Sequence, residues 1–245
     1  MERVEFLNKM RTMSEALYDR FAHYYWVNWG MDVDGRHRQY MQKFLGRVGQ
    51  PGLILSAACG AGRFDGLLME AGHSVVGIDQ SAGVLSRARE HFPAGQYPQV
   101  RYEKIGLQEM NFHDAFDGVV CMDAMEHICP EDWPVIVRNF SNALKPGQPL
   151  YLTADTRGAA EIMRCYKNAL AMGLPVVYGE IADEVETAYQ QALETGAPSD
   201  QSVYHFVPSL EQIRAWLGQA GLKMVDVSEG DGYHHIIAVK PSREG

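Results

Sequence analysis

The sequence predicts an α/β fold with a seven-stranded, mostly parallel sheet and a final antiparallel strand, and three observations carry that reading. Short apolar runs at 53–55, 75–78, 100–104, 116–122 and 150–154 are each bounded by turn residues. Helix-length amphipathic stretches separate them, as the crossovers between parallel strands require. The last two runs, 223–227 and 233–239, follow a helical stretch at 210–220 and read as two closing strands.

Within that frame the stretch from Leu53 to Ser81 is the most informative. Leu53, Ile54 and Leu55 form a buried strand, and a small-residue turn follows through Ala57, Ala58, Cys59, Gly60, Ala61 and Gly62. Phe64, Leu67, Leu68 and Ala71 then share one helical face, and Gly72 ends that helix. Val75, Val76, Gly77 and Ile78 make the second strand, with Asp79 at its carboxyl end. Such glycines let a backbone approach a ligand that a Cβ would exclude, and an acid so placed accepts both hydrogen bonds of a ribose diol. The spacing is not the dinucleotide pattern G-x-G-x-x-G, since no third small residue follows Gly62 at the right place.

Other elements follow in order. Phe6, Met10, Met13, Leu17 and Phe21 recur at helical spacing, and Tyr18, Tyr24, Tyr25, Trp26 and Trp29 crowd the residues after them. Those aromatics serve either core packing or a lid whose ring faces attract a cation. A second helix is expected over 34–45, before the breaker Gly49, Gln50, Pro51, Gly52. Gln80 and Ser81 open a helix over 82–91, and residues 132–144 form another with Val135, Ile136, Phe140 and Leu144 inward. Beyond residue 156 the alternation is interrupted by helices expected at 159–172 and 182–194, and a helix at 210–220 precedes the closing hairpin.

Composition narrows the function. The chain has 245 residues, 46% apolar and 22% charged, an ordinary globular balance. A net charge of −9 argues against a nucleic-acid partner, whose phosphates need a basic face. No apolar stretch is long enough to cross a membrane, the first ten residues lack the core of a signal peptide, and the four cysteines show no paired spacing. These features point to a reduced, cytoplasmic protein with no membrane partner, and its oligomeric state stays open. No His pair at helical spacing and no cysteine quartet suggests a metal site.

The glycine turn and the acid resemble the first two motifs of the class I S-adenosylmethionine (SAM)-dependent methyltransferases, of the small-molecule type, with a Rossmann-like sheet. Gly60 and Gly62 match the last two glycines of the first motif, and Asp79 matches the ribose-binding acid. The chain departs at Ser56, where the family usually has an acid, and at Ala58, where it usually has glycine. Gly106 and Leu107 stand where the family has Gly-Asp against the adenine, so Gln108 or backbone groups take up that contact. Phe116 and Asp117, and Leu144 through Gly147, repeat further family signatures, and Tyr18 through Ala22 resembles its amino-terminal cofactor-covering helix.

The resemblance implies SAM as cofactor, held by Ser56, Ala58, Gly60, Gly62, Asp79, Gln80, Leu107, Gln108 and Met122 with Tyr18 and Tyr25 from the lid. It implies a lid over 1–50, a SAM-binding domain over 51–155 and 204–245, and a substrate cap over 156–203. For the chemistry, Asp123, Glu126 and His127 sit at the carboxyl end of the fourth strand, where ligands bind in parallel sheets. His127 is the expected base and Tyr178, in a Pro/Gly-bounded loop, the expected partner from the cap; His205 and one of His234 or His235 are further pocket candidates. The leading expectation is methyl transfer to a small metabolite. An alternative takes the lost acid at Ser56 as freeing the SAM amine to attack its own γ-carbon, giving azetidine-2-carboxylate and methylthioadenosine. A third is a SAM-binding module without turnover.

Overall fold

The computed structural model describes residues 1–30, 33 and 35–242. Strands β1 (Leu53–Ala57), β2 (Ser74–Asp79), β3 (Val100–Lys104), β4 (Gly118–Cys121) and β5 (Pro149–Asp155) run parallel. Strands β6 (Glu180–Ile181) and β7 (His205–Phe206) form a separate small ribbon. Strands β8 (Lys223–Gly230) and β9 (Tyr233–Val239) complete the main sheet, where β9 pairs antiparallel with both β5 and β8. The strand order is β3-β2-β1-β4-β5-β9-β8. Between β1 and β4 the order in which strands are added reverses, while both strands stay parallel, and in such sheets the crevice at that switch point is where ligands bind.

Helices α1 (Arg3–Phe21), α2 (Tyr25–Trp29), α3 (Gly35–Val48), α4 (Asp65–Glu70), α5 (Ala82–His91), α6 (Trp133–Ala143), α7 (Ala159–Ala171), α8 (Val185–Thr195) and α9 (Leu210–Gln219) surround the sheet. The period-2 alternation of the strands sorts them onto two faces. Ile54, Val75, Val120, Tyr151 and Ile237 pack with Tyr40, Met41 and Phe44 of α3 and Leu85 of α5. Their neighbours Leu55, Val76, Val119, Leu152 and Ile236 pack with Ile136 and Phe140 of α6, Ile213 of α9, and Phe6 and Met10 of α1.

Two expectations change. The first fifty residues do not act as one lid: α3 buries Tyr40, Met41 and Phe44 against the sheet and belongs to its helical layer. Asp34, the expected start of that helix, lies outside the described residues, as does the side chain of Trp29. In the cap, the helix expected from residue 182 starts at Val185, because the preceding Ile181 is committed to the β6–β7 ribbon opposite His205.

Candidate active site

A cavity of about 1150 Å³ runs across the carboxyl edge of the sheet, from Lys104 at the end of β3 to Asp155 at the end of β5. Its floor at the switch point is the turn after β1. Ala58 there has φ 50°, a left-handed conformation that costs an L-residue roughly 1–2 kcal/mol and glycine nothing. Gly60 tolerates no side chain, since a Cβ would lie 2.5 Å from the Tyr25 hydroxyl. The Gly60 amide donates to Asp79 Oδ2 and the Ser81 amide to Asp79 Oδ1, both at 2.9 Å. Each carboxylate oxygen keeps acceptor capacity for a second donor, and Asp79 lines the cavity. Burial raises the proton affinity of Asp79, and the backbone donors oppose that rise.

Helix α1 roofs the cavity. Its 19 residues, at a rise of 1.5 Å each, span about 28 Å. At the carboxyl end Asp19 accepts hydrogen bonds from Ser81 Oγ (2.6 Å) and the Gly83 amide (2.9 Å), at the start of α5. In the middle, Arg11 donates twice to Asp132 Oδ2, at 3.0 and 2.7 Å. At the amino end Arg3 donates to both oxygens of Glu131, to Glu180 Oε2 (2.6 Å) and to the Pro175 carbonyl (2.8 Å). Tyr18 from this roof and Tyr25 from the start of α2 line the cavity.

Beyond the switch point the cavity is built by β4, β5 and β9. Asp123, just after β4, has φ 49°, and its amide donates to Thr153 Oγ1 at 2.7 Å. Its carboxylate meets His37 Nε2 at 2.8 Å and Arg63 Nη1 at 3.3 Å. The next turn, Met125–His127, carries the candidate base. His127 Nδ1 lies 3.1 Å from the Tyr204 carbonyl, which only accepts, so Nδ1 holds the proton. Nε2 therefore presents its lone pair, 3.1 Å from the Tyr18 hydroxyl that donates to it.

Tyr204 is fixed in turn. Its hydroxyl donates to Glu180, which is fully buried, and Glu180 also accepts from Arg3 and the Val177 amide. The His205 ring stands 4.9 Å from that of His127. Burial, with the neighbouring His127 and Arg157, pushes the pKa of His205 down to about 2, so it stays neutral. Glu126 is buried too, and burial reinforced by Asp123 holds its carboxyl far above the usual range.

Known proteins resemble this chain in sequence and fold. Residues 54–147 match the model of the methyltransferase domain. A ubiquinone biosynthesis O-methyltransferase of Xanthomonas axonopodis is 28% identical over 177 residues, which are 71% of this chain and 64% of that protein's own length. An uncharacterised methyltransferase of Synechocystis is 27% identical over 161 residues, 65% of this chain and 70% of its own. Among solved structures, a SAM-dependent methyltransferase from Methanosarcina mazei superposes with a TM-score of 0.65 at 20% identity, covering 83% of this chain and 97% of that one. Magnesium protoporphyrin IX methyltransferase from Synechocystis, solved with SAM, gives 0.62 at 16% identity, covering 94% and 96%.

In sequence over its central segment and in fold, the chain is similar to SAM-dependent methyltransferases.

Within this methyltransferase fold the residues singled out from sequence separate into two groups. Ala58, Gly60, Asp79, Gln80, Leu107, Gln108, Met122, Tyr18, Tyr25 and His127 all line the one cavity, as does His205. Ser56, Gly62 and Tyr178 do not. Ser56 is buried in β1 beneath the turn, near the buried Asp65, whose raised carboxyl pKa its hydroxyl opposes. Gly62 faces Tyr102, whose hydroxyl would be 2.8 Å from an added Cβ, so its lack of a side chain serves packing behind the turn. Tyr178 is 49% exposed and packs edge-on against Tyr166, outside the cavity.

In the closing hairpin neither expected histidine faces the site. His235 is fully buried between the Tyr151 hydroxyl (2.9 Å) and the Gly230 carbonyl (3.0 Å), while Tyr233 enters the cavity instead. The fold also gathers His37, Asp231 and His235 into a set with metal-ligand geometry that sequence spacing did not suggest. Both ring nitrogens of His235 are already engaged, and Asp231 accepts from the Arg36 amide at 2.6 Å. Asp155, Arg157 and Tyr233 were missed from sequence; their signal was position alone, since register places Asp155 opposite Tyr233 at the ligand edge.

Proposed function

We propose that this protein transfers a methyl group from SAM to a small metabolite, with His127 as the base. The observation that carries the reading is the joining of two chemically distinct regions in one cavity of about 1150 Å³. Sites for a single small ligand run from roughly 300 to 1,000 Å³, so this one has room for a second substrate beside the first. That favours transfer between two molecules over cyclisation of SAM alone.

The residues at the nucleoside region fit the cofactor. Asp79 has acceptor capacity for a ribose diol, and the bare Gly60 backbone leaves the approach open beneath Tyr25. Gln80, Leu107 and Gln108 supply the wall for the base. Bound there, SAM supplies a methyl group already activated by its sulfonium. Tyr18 and Tyr25 offer ring faces that attract such a cation by about 0.5–2 kcal/mol.

His127 supplies the acid–base chemistry. Its proton on Nδ1 is fixed by the Tyr204 carbonyl, so Nε2 is the atom that takes the proton from the acceptor nucleophile. The Tyr18 hydroxyl holds that lone pair toward the cavity until a substrate replaces it. The roof formed by α1 limits access of water, which would otherwise compete as a nucleophile. The cysteines, all free and buried, suit the reducing compartment expected from sequence. Among the described residues no helix is long and apolar enough to cross a membrane.

The test is incubation with SAM, with and without a panel of small phenols, amines and carboxylates, read by mass spectrometry. Acceptor-dependent S-adenosylhomocysteine, reduced about 10²- to 10⁴-fold in a His127→Ala variant, is the expected result. Methylthioadenosine and a four-carbon cyclic amino acid from SAM alone would replace methyl transfer by cyclisation. Tight SAM binding with no product in any arm would leave a binding module.

A further inference from the structure

Glu126 is 4% exposed, lines the cavity, and its Oε2 has no hydrogen-bond partner among the described residues. Its other oxygen is met only loosely, by the Tyr233 hydroxyl at 3.4 Å. A buried polar atom without a partner is costly to keep, so a site that keeps one has a use for it. The orphan oxygen belongs to the part of the cavity that holds His127, whose Nε2 is 4.0 Å from Glu126 Oε1.

The surroundings set the sign of charge that belongs there. Burial first, and then Glu126, Asp123 and Asp155, hold the proton on the Tyr233 hydroxyl. Asp123 is answered by His37 and Arg63, and Asp155 by Arg157 at 2.9 Å. Arg157 is further engaged by Glu161 at 3.1 Å. Glu126 has no guanidinium or ammonium within ion-pair distance among the described residues, and His127 beside it presents a lone pair. An incoming anion would meet these carboxylates, whereas an incoming cation would supply the missing partner and find the Tyr233 ring beside it. Burial and the neighbouring Asp123 and Asp155 hold the Glu126 carboxyl well above the usual carboxylate range, the same response to an unmet demand for positive charge.

We propose that the acceptor carries a cationic group, such as an ammonium, seated on Glu126 Oε2 and Tyr233 beside the atom that gives its proton to His127. This deepens the methyl-transfer reading and rests on it. The cation need not be the methylated atom: a hydroxyl nucleophile next to an ammonium satisfies both residues. Carboxylate and phosphate acceptors are excluded at this end of the cavity, and an uncharged acceptor leaves Glu126 without its counter-ion.

The experiment is calorimetric titration of the full-length protein loaded with S-adenosylhomocysteine, using three probes of similar size: tyramine, 4-propylphenol and 3-(4-hydroxyphenyl)propanoate. The expected order is tyramine tighter than 4-propylphenol by about tenfold or more, with the propanoate weakest. Glu126→Gln keeps shape and hydrogen bonding but removes the charge, and is expected to bring tyramine and 4-propylphenol within about twofold of each other. S-adenosylhomocysteine affinity of the variant, measured in the same titrations, is expected to match the parent and reports on folding. Equal binding of tyramine and 4-propylphenol by the parent, binding of neither, or a tyramine preference that survives in Glu126→Gln would overturn the proposal. Failure of S-adenosylhomocysteine to bind the parent would instead overturn the cofactor reading on which it rests.

Discussion

Replacing Arg3 by alanine tests how far the roof helix supports the base at its far end. Glu180 is fully buried and Arg3 is the cation that answers it, 23% exposed at the side chain. Breaking a buried ion pair by deleting one partner costs about 3–5 kcal/mol, because the remaining charge is left uncompensated. Here Tyr204 and the Val177 amide still donate to Glu180, and Arg3 is partly hydrated, so the expected cost is about 2–3 kcal/mol. The bonds of Arg3 to the half-exposed Glu131 add less than about 1 kcal/mol. For a chain of 245 residues this corresponds to a fall in Tm of roughly 4–12 °C. Adding Glu180→Gln removes the stranded charge, so Arg3→Ala/Glu180→Gln should recover at least half the loss. Urea unfolding of the parent, both single variants and the double variant gives the cycle. A loss below about 1 kcal/mol in Arg3→Ala, or a double variant weaker than Arg3→Ala, would refute this account of the helix start.

Asp79→Ala should weaken SAM binding by about 1–3 kcal/mol, measured by calorimetry, since it deletes acceptors for two hydroxyls and frees the Gly60 and Ser81 amides. Asp65 gives a pH signature: burial raises its pKa to about 6, against the opposing Ser56 and Tyr102 hydroxyls. A carboxyl raised in the folded state binds its proton more tightly there, so its contribution to stability falls as pH rises from about 3.8 to about 6 and is then flat. Asp65→Asn should abolish that segment of the unfolding-versus-pH curve. Asp19 acts in the opposite sense: partial burial raises its pKa, but Ser81 Oγ and the Gly83 amide outweigh that and hold it below the ordinary value. Its contribution is present above the ordinary carboxylate pKa and is lost as pH falls through the lowered value. Asp19→Asn should therefore loosen the end of α1 at neutral pH, seen as faster amide exchange over residues 16–24 with the sheet unchanged.

Much of this architecture was written locally. A strand ending in a small-residue turn, a helix, and a strand ending in Asp79 are fixed by neighbours in sequence, and the fold brings Gly60 and Asp79 within one hydrogen bond. Ser56 was harder. Sequence alone marks it as a missing acid, whereas the structure shows its hydroxyl turned under the turn toward Asp65, a residue from the following helix. Tyr178 failed for a related reason: a Pro/Gly-bounded loop announces a turn but not its facing, and Tyr166 drew the ring outward. The alternation of the last strand showed that one of two histidines would face each way. It could not show that α3 covers His235, because α3 was read as part of a lid. The support of His127 was invisible, since its Nδ1 partner is a backbone carbonyl 77 positions away and the clamp on that segment begins at Arg3.

Helix α1 also makes the site mechanically indivisible. It is a stiff rod fastened near both ends and at its middle, with Tyr18 reaching His127 and Asp19 locked to the start of α5. A loop could lift over one substrate and leave the other enclosed; a rod pinned this way pivots or stays. Gly83 shows how closely it seats, since a Cβ there would come within 2.7 Å of the Asp19 carbonyl. Entry and exit at the nucleoside region are thereby geared to the orientation of the base at the acceptor region. In the methyl-transfer reading proposed above, losing hold of the spent nucleoside would therefore also let go of His127.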